Sequence, residues 1–208
     1  MTVPRIFSLT QCPALGDLGP RTKFESRSVC STCEQEIIVD RGRIEYVFDG
    51  WHGEDFVKTV LDDVYVVSAR FRRAMERSKV AGVRYKAILV GRSEIFMETC
   101  RDVELPKFYE IVVEDTLNGS GWMVRNGECE ECGQAFWTPT KASVKWVTGS
   151  TSGGPLPPRR VFEKDWQGQD VFRLSEPGPI VVTERVKAIF DELAVAKVQL
   201  EPAVWDSH

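Results

Sequence analysis

A chain of 208 residues, 42% hydrophobic and 28% charged, is long enough to bury its own core and has the composition of a folded globular protein, which excludes disordered, collagenous and coiled-coil architectures. Its 27 basic and 31 acidic residues leave a net charge of −4, which disfavours general nucleic-acid binding, because proteins that wrap a polyanion carry a basic excess. The longest uninterrupted apolar runs are only a few residues, such as Ala87-Ile88-Leu89-Val90, far below the roughly 20 of a bilayer span, and Met1 to Leu18 lacks a basic start followed by an apolar stretch, so a cytoplasmic protein without a secretory signal is expected.

In chain order, residues 3–9 read as a first strand, and Gln11 to Pro20 as a loop with two prolines and two glycines. A Cys30-Ser31-Thr32-Cys33 unit follows. Glu36 to Val39 and Arg43 to Phe48 read as a hairpin across Asp40-Arg41-Gly42, and Asp49 to Gly53 as a turn. The apolar Val64 to Val67 leads to Ser68, a helix N-cap. Phe71, Ala74, Met75 and Ser78 then recur at helical spacing, and Val83 to Val90 returns as a strand. Lys107 to Val113 and Val144 to Val147 read as further strands, on either side of Cys129-Glu130-Glu131-Cys132. The stretch 148–158, Thr-Gly-Ser-Thr-Ser-Gly-Gly-Pro-Leu-Pro-Pro, reads as an exposed loop.

Residues 181–205 repeat the pattern of 66–90. At an offset of 115, Val66, Val67, Arg70, Val80, Ala81 and Val83 meet identical residues, Ser68 meets Thr183, and the helix face Phe71, Ala74, Met75, Ser78 meets Val186, Ile189, Phe190, Leu193. Duplication or convergence on one strand-helix-strand pattern explains this. The expected fold class is α+β, a mainly antiparallel sheet with two short helices and a zinc-ribbon-like four-cysteine site. The organisation is one domain over 1–208, or two lobes, 1–105 and 106–208, joined by the metal.

Two paired CxxC units in a reducing compartment point first to a tetrahedral four-thiolate zinc site made by Cys30, Cys33, Cys129 and Cys132. Two residues between thiolates let one tight turn present both sulfurs to one ion. Gly133 supplies the positive φ such a turn needs, whereas the first pair is followed by Glu34, which weakens it. Ninety-five residues lie between Cys33 and Cys129, against about 15–20 in compact modules, so the site would staple distant parts of the chain. Two separate sites, a lost metal and a disulfide stay open. A redox CxxC fits poorly, since a strand rather than a helix follows Cys33, and three glutamates flank Cys129 and would raise its pKa. Cys12 and Cys100 read as packing residues.

The two widely spaced CxxC units, with Cys129-Glu-Glu-Cys132-Gly133 matching CxxCG in full, resemble the double-CxxCG paralogous family of myxobacteria. The runs Asp165 to Phe172, Ile180 to Val186 and Val198 to Pro202 resemble it as well. The resemblance covers most of the chain, least in the N-terminal third. It implies an immunity protein of a swarm-exclusion toxin system, one that binds and neutralises a cognate protein toxin. Only the four cysteines carry over as site residues, and Glu34 departs from the pattern.

Catalytic raw material is thin. His52 lies in a Gly-flanked turn and reads as a surface residue or, secondarily, a metal ligand, while His208 is at the end. GxSxG, Walker and GxGxxG patterns are absent, and Gly149 to Gly154 lacks the lysine of a phosphate loop. Asp62-Asp63 and Glu114-Asp115 have no neighbouring pattern that makes an acid/base or metal site, and Trp166 and Asp170 read as a buried Trp beside a capping Asp.

Between Glu94 and Glu131 the net charge is −7, and the remainder carries +3. A solvated face explains this, or an acidic surface formed by Glu128, Glu130, Glu131, Glu114 and Asp115 that docks a basic partner such as a nuclease toxin. The leading expectation is a non-catalytic, zinc-stapled immunity protein. The alternatives are a zinc-ribbon nucleic-acid binder, with Phe136 and Trp137 stacking bases and Lys141 and Lys145 on phosphates, and a thiol oxidoreductase.

Overall fold

The structure, a computed structural model, describes residues 3–59, 64–120, 122–140, 158–175, 178 and 180–207. The first half of the chain forms β1 (Ile6–Gln11), β2 (Gly16–Leu18), β3 (Phe24–Val29), β4 (Glu36–Arg41), β5 (Glu45–Phe48), β6 (Phe56–Lys58), β7 (Tyr65–Ser68), α1 (Ala69–Arg77), β8 (Val83–Ala87), β9 (Leu89–Arg92) and α2 (Glu94–Thr99). The second half forms β10 (Phe108–Val113), β11 (Thr116–Leu117), β12 (Gly119–Ser120), β13 (Met123–Glu128), β14 (Ala135–Pro139), β15 (Arg160–Phe162), β16 (Val171–Leu174), β17 (Val181–Thr183), α3 (Glu184–Glu192) and β18 (Gln199–Asp206). Sheet dominates, and most pairings are antiparallel. The exceptions among the named strands are β5 with β9, β11 with β16, and β15 with β18.

Helix α1 forms where the sequence places it. Ser68 is extended and its hydroxyl accepts the Phe71 N–H at 3.2 Å, satisfying one of the first-turn donors. Phe71, Ala74 and Met75 then bury one face. The helix closes at Lys79, whose φ is 51°. Val80 N–H reaches back to Met75 O at 3.1 Å, and Lys79 N–H to Glu76 O at 3.1 Å, the paired bonds of a left-handed helix stop. Helix α3 closes identically at Ala194 (φ 49°), with Val195 N–H on Phe190 O at 3.0 Å and Ala194 N–H on Asp191 O at 3.1 Å. Phe71, Phe190 and Phe56 meet at centroid distances of 4.9–5.4 Å, so the two helices share one core. Two further apolar clusters lie on either side, one around Tyr46, Phe48 and Phe96, the other around Phe172, Val181 and Leu174.

The sheets show how the halves combine. One four-stranded sheet runs β6-β7-β10-β8, and the seven-stranded sheet contains β16-β17-β1-β18 in the corresponding order. Val57 pairs with Val66 as Phe172 pairs with Val181, and Glu45 pairs with Leu89 as Arg160 pairs with Val204, each residue meeting its counterpart 115 positions on. The strand between each helix-flanking pair comes from the other half: β10 separates β7 from β8, and β1 separates β17 from β18. The halves are therefore joined by exchanged strands as well as by the cysteines.

Several local expectations change. Residues 36–39 and 43–48 do not form a hairpin with each other. β4 pairs back onto β3, while β5 joins β2 and β9. Ile44, Tyr46 and Phe48 alternate inward as a strand does, but alternation specifies the face and not the partner. The strand expected over 83–90 splits at the buried Ile88, with β8 in the four-stranded sheet and β9 in another. A third helix, α2, is present, capped by Ser93 accepting Phe96 N–H at 3.3 Å. The expected strand 144–147, Asp62-Asp63, Lys141, Lys145, His208 and nearly all of the loop 148–158 lie outside the described residues.

Candidate metal centre

Each CxxC sits in the turn of a two-stranded ribbon, β3–β4 or β13–β14, and neither ribbon is hydrogen-bonded into the larger sheets. The two turns are built alike. Cys30 N–H donates to Gln35 O at 3.0 Å and Glu34 N–H to Cys30 O at 2.9 Å. In the second turn Cys129 N–H donates to Gln134 O and Gly133 N–H to Cys129 O, both at 2.8 Å. Gly133 has φ 70°, and Glu34 adopts φ 57° at the matching position. The missing glycine thus leaves the first turn intact and places Glu34 in a left-handed conformation that disfavours side chains by about 1 kcal/mol.

The turns bring their sulfurs together. Cys30 and Cys129 Sγ are 3.7 Å apart, as are Cys33 and Cys132 Sγ, and all four ligand atoms lie within 4.8 Å of one another. A disulfide would require about 2.05 Å, and all four cysteines are free. A tetrahedron with metal–sulfur bonds of about 2.3 Å has edges of about 3.8 Å, so the donor set fits one tetrahedral ion. Cys30 and Cys129 are buried, and Cys33 and Cys132 half-buried. Backbone N–H groups of Cys132 and Glu131 face the Cys129 sulfur and hold its thiol down at about 7. Four sulfurs around one tetrahedral ion would complete its coordination, the donor set of a structural metal site.

Glu131 ties the two turns together directly. Its carboxylate accepts Ser31 Oγ at 2.8 and 2.9 Å and the Thr32 hydroxyl, and the Cys30 thiol lies 3.5 Å away. The Thr32 and Ser31 hydroxyls hold this carboxyl below its usual range. The sequence reading placed Glu131 among exposed acids, which it is, and missed its bridge to the first turn. The serine and threonine of the first CxxC opposite an acid of the second were its only available signal.

The remaining candidates are dispersed. Glu128 pairs with Arg125 on β13, and Glu130 is exposed on the same ribbon. Glu114 lies at the end of β10, ion-paired with Arg84 at 3.2 Å, beside Asp115, whose carbonyl accepts Arg173 N–H at 2.9 Å. Glu114 and Asp115 therefore lie in the connection between β10 and β11, outside the ribbon that carries the other acids. Phe136 is exposed and Trp137 half-buried on β14. His52 is outside the cysteine group, its N–H donating to Glu54 Oε2 at 2.7 Å. Burial pushes the Cys12 thiol up to about 12, and Cys100 is buried in an apolar cluster.

Sequence reasoning read Asp170 as a capping residue beside Trp166 but missed Asp55 and the two matching polar knots these aspartates form. Buried Asp55 accepts Ser68 Oγ at 2.5 Å and is ion-paired with Arg70. Buried Asp170 accepts Thr183 Oγ1 at 2.8 Å, Arg185 Nη1 at 3.1 Å and Ala81 N–H at 3.1 Å. Each fixes the start of its helix, and beside each a tryptophan N–H closes a turn, Trp51 on Glu54 O at 2.9 Å and Trp166 on Gln169 O at 2.8 Å. Trp166 also packs on Trp205 at 5.7 Å.

No protein-family model matches the chain, and no curated protein matches it. No helix among the described residues is long and apolar enough to cross a membrane.

Proposed function

We propose that this protein is a non-catalytic immunity protein that binds and neutralises a cognate bacterial toxin in the cytoplasm, with one structural zinc. The observation that supports the scaffold part is the closed set of four sulfurs on two ribbons, 99 positions apart in sequence at Cys30 and Cys129. A site of this kind fixes a shape and performs no turnover. The resemblance to the double-CxxCG family supports the toxin partner. The matched registers at an offset of 115 support reading the two halves as copies of one unit with exchanged first strands. The zinc ribbon as a nucleic-acid binder is the second reading, favoured by exposed Phe136 and opposed by the acids around it.

The experiment is co-expression with the toxin encoded by the neighbouring gene. Rescue of growth is expected, and unchanged toxicity overturns the immunity reading. A low-salt gel shift with single- and double-stranded DNA and RNA tests the second reading, with no shift expected.

A further inference from the structure

We infer that the cleft bridging the two ribbons beside the cysteine cluster is a docking surface for a cationic protein segment carrying an apolar side chain, and that the metal assembles it. The inference rests on the reading that this protein acts by binding another protein. It names the surface and the chemistry of that partner.

The cleft has a volume of about 460 Å³. Gln35 from the first turn lines it together with Met123, Gln134, Phe136 and Trp137 from the second ribbon. Both ribbons expose apolar side chains that the fold does not use: Val29 is 64% exposed, Val124 56% and Phe136 36%. Apolar side chains exposed on these ribbons suit burial by a partner. Trp and Phe in a shallow pocket are the residue types that dominate such contacts.

Charge selects the occupant. Within 28–35 and 122–137 the charged side chains are Glu34, Glu128, Glu130, Glu131 and Arg125, a net of −3, and Arg125 is already paired with Glu128. Four thiolates around a divalent ion contribute about −2 more at the same place. A polyanion is repelled here, and a lysine- or arginine-rich segment is attracted. Gln35 stands on a different two-stranded sheet from the other lining residues, and the two sheets meet at the sulfurs and Glu131. Loss of the ion therefore leaves only the Glu131 contacts to hold the Gln35 wall against the second ribbon.

The test uses the full zinc-loaded chain at low salt. The probe is an amidated decapeptide alternating Lys and Leu, with its Glu-Leu counterpart as the control, followed by amide chemical shifts. The cationic peptide is expected to move amides of residues 123–137 and of Gln35, and the anionic one to move none. Phe136→Ser on an exposed strand, which leaves the core untouched, is expected to weaken binding about fivefold or more, with Glu130→Lys and Cys132→Ser weakening it as well. Unmoved ribbon amides, equal binding of the anionic peptide, or wild-type affinity in Phe136→Ser each overturn the inference. Peptide binding here without protection from the neighbouring toxin overturns the immunity reading alone. Protection that persists in Phe136→Ser and Glu130→Lys, with no peptide binding, overturns the docking surface alone.

Discussion

The two halves of this chain solve the same local problems with different residues. The ribbon turns share their hydrogen bonds, yet one uses Glu34 and the other Gly133 at the left-handed position. The helix starts share a buried aspartate, yet Asp55 holds two side chains, whereas Asp170 also takes the Ala81 N–H from the other half. Ser68 and Thr183 both donate their hydroxyls to the buried aspartate, but only Ser68 also accepts a first-turn N–H as a cap. Geometry is thus held by the surrounding bonds more than by residue identity at any one position, and the halves differ in how much each contact carries.

The largest test of that comparison removes what joins the ribbons. Cys129→Ser is expected to release about one equivalent of zinc by elemental analysis. It is also expected to lower the melting temperature by about 10 °C, in line with a loss of about 4 kcal/mol of linked binding energy. Retention of metal would mean that three sulfurs suffice and would separate the ribbons' geometry from the ion. The next test sets the aspartates against each other. Asp170→Ala should cost about 3 kcal/mol in urea denaturation and Asp55→Ala about 2, because only the former strands a backbone donor from the other half, and the exposed ends of both arginines limit their share. Equal costs would remove that asymmetry. The smallest effect compares the turns. Gly133→Ala meets nothing within 4 Å, so its cost of about 1 kcal/mol is purely backbone, and Glu34→Gly should stabilise by about 0.5 kcal/mol. Destabilisation by Glu34→Gly would show that Glu34 contributes a contact that outweighs its conformation.

The four ligands were legible because CxxC spacing is a local rule, and α1 because its cap and apolar stripe are local as well. The matching pattern extends upstream of Val66 as well: Trp51 and Trp166, Gly53 and Gly168, and Asp55 and Asp170 keep the offset of 115. The partner of β5 and the split at Ile88 were not legible, since periodicity says which face is buried and leaves the neighbouring strand open. Helix α2 escaped because it buries only Phe96, which gives no period. Glu131 looked like any surface acid until the first turn was placed opposite it.

The crossing of β1 into the far sheet has a consequence for how the molecule is made. Ile6 lies against Thr183 and Ala203, so β1 waits for residues 177 positions later in the chain before it has a strand neighbour. Pairings this remote in sequence slow folding and keep apolar edges uncovered during synthesis. Phe7 and Leu9 are buried in the finished fold and are the side chains to be shielded in that interval, which makes β1 the natural place for a chaperone to hold.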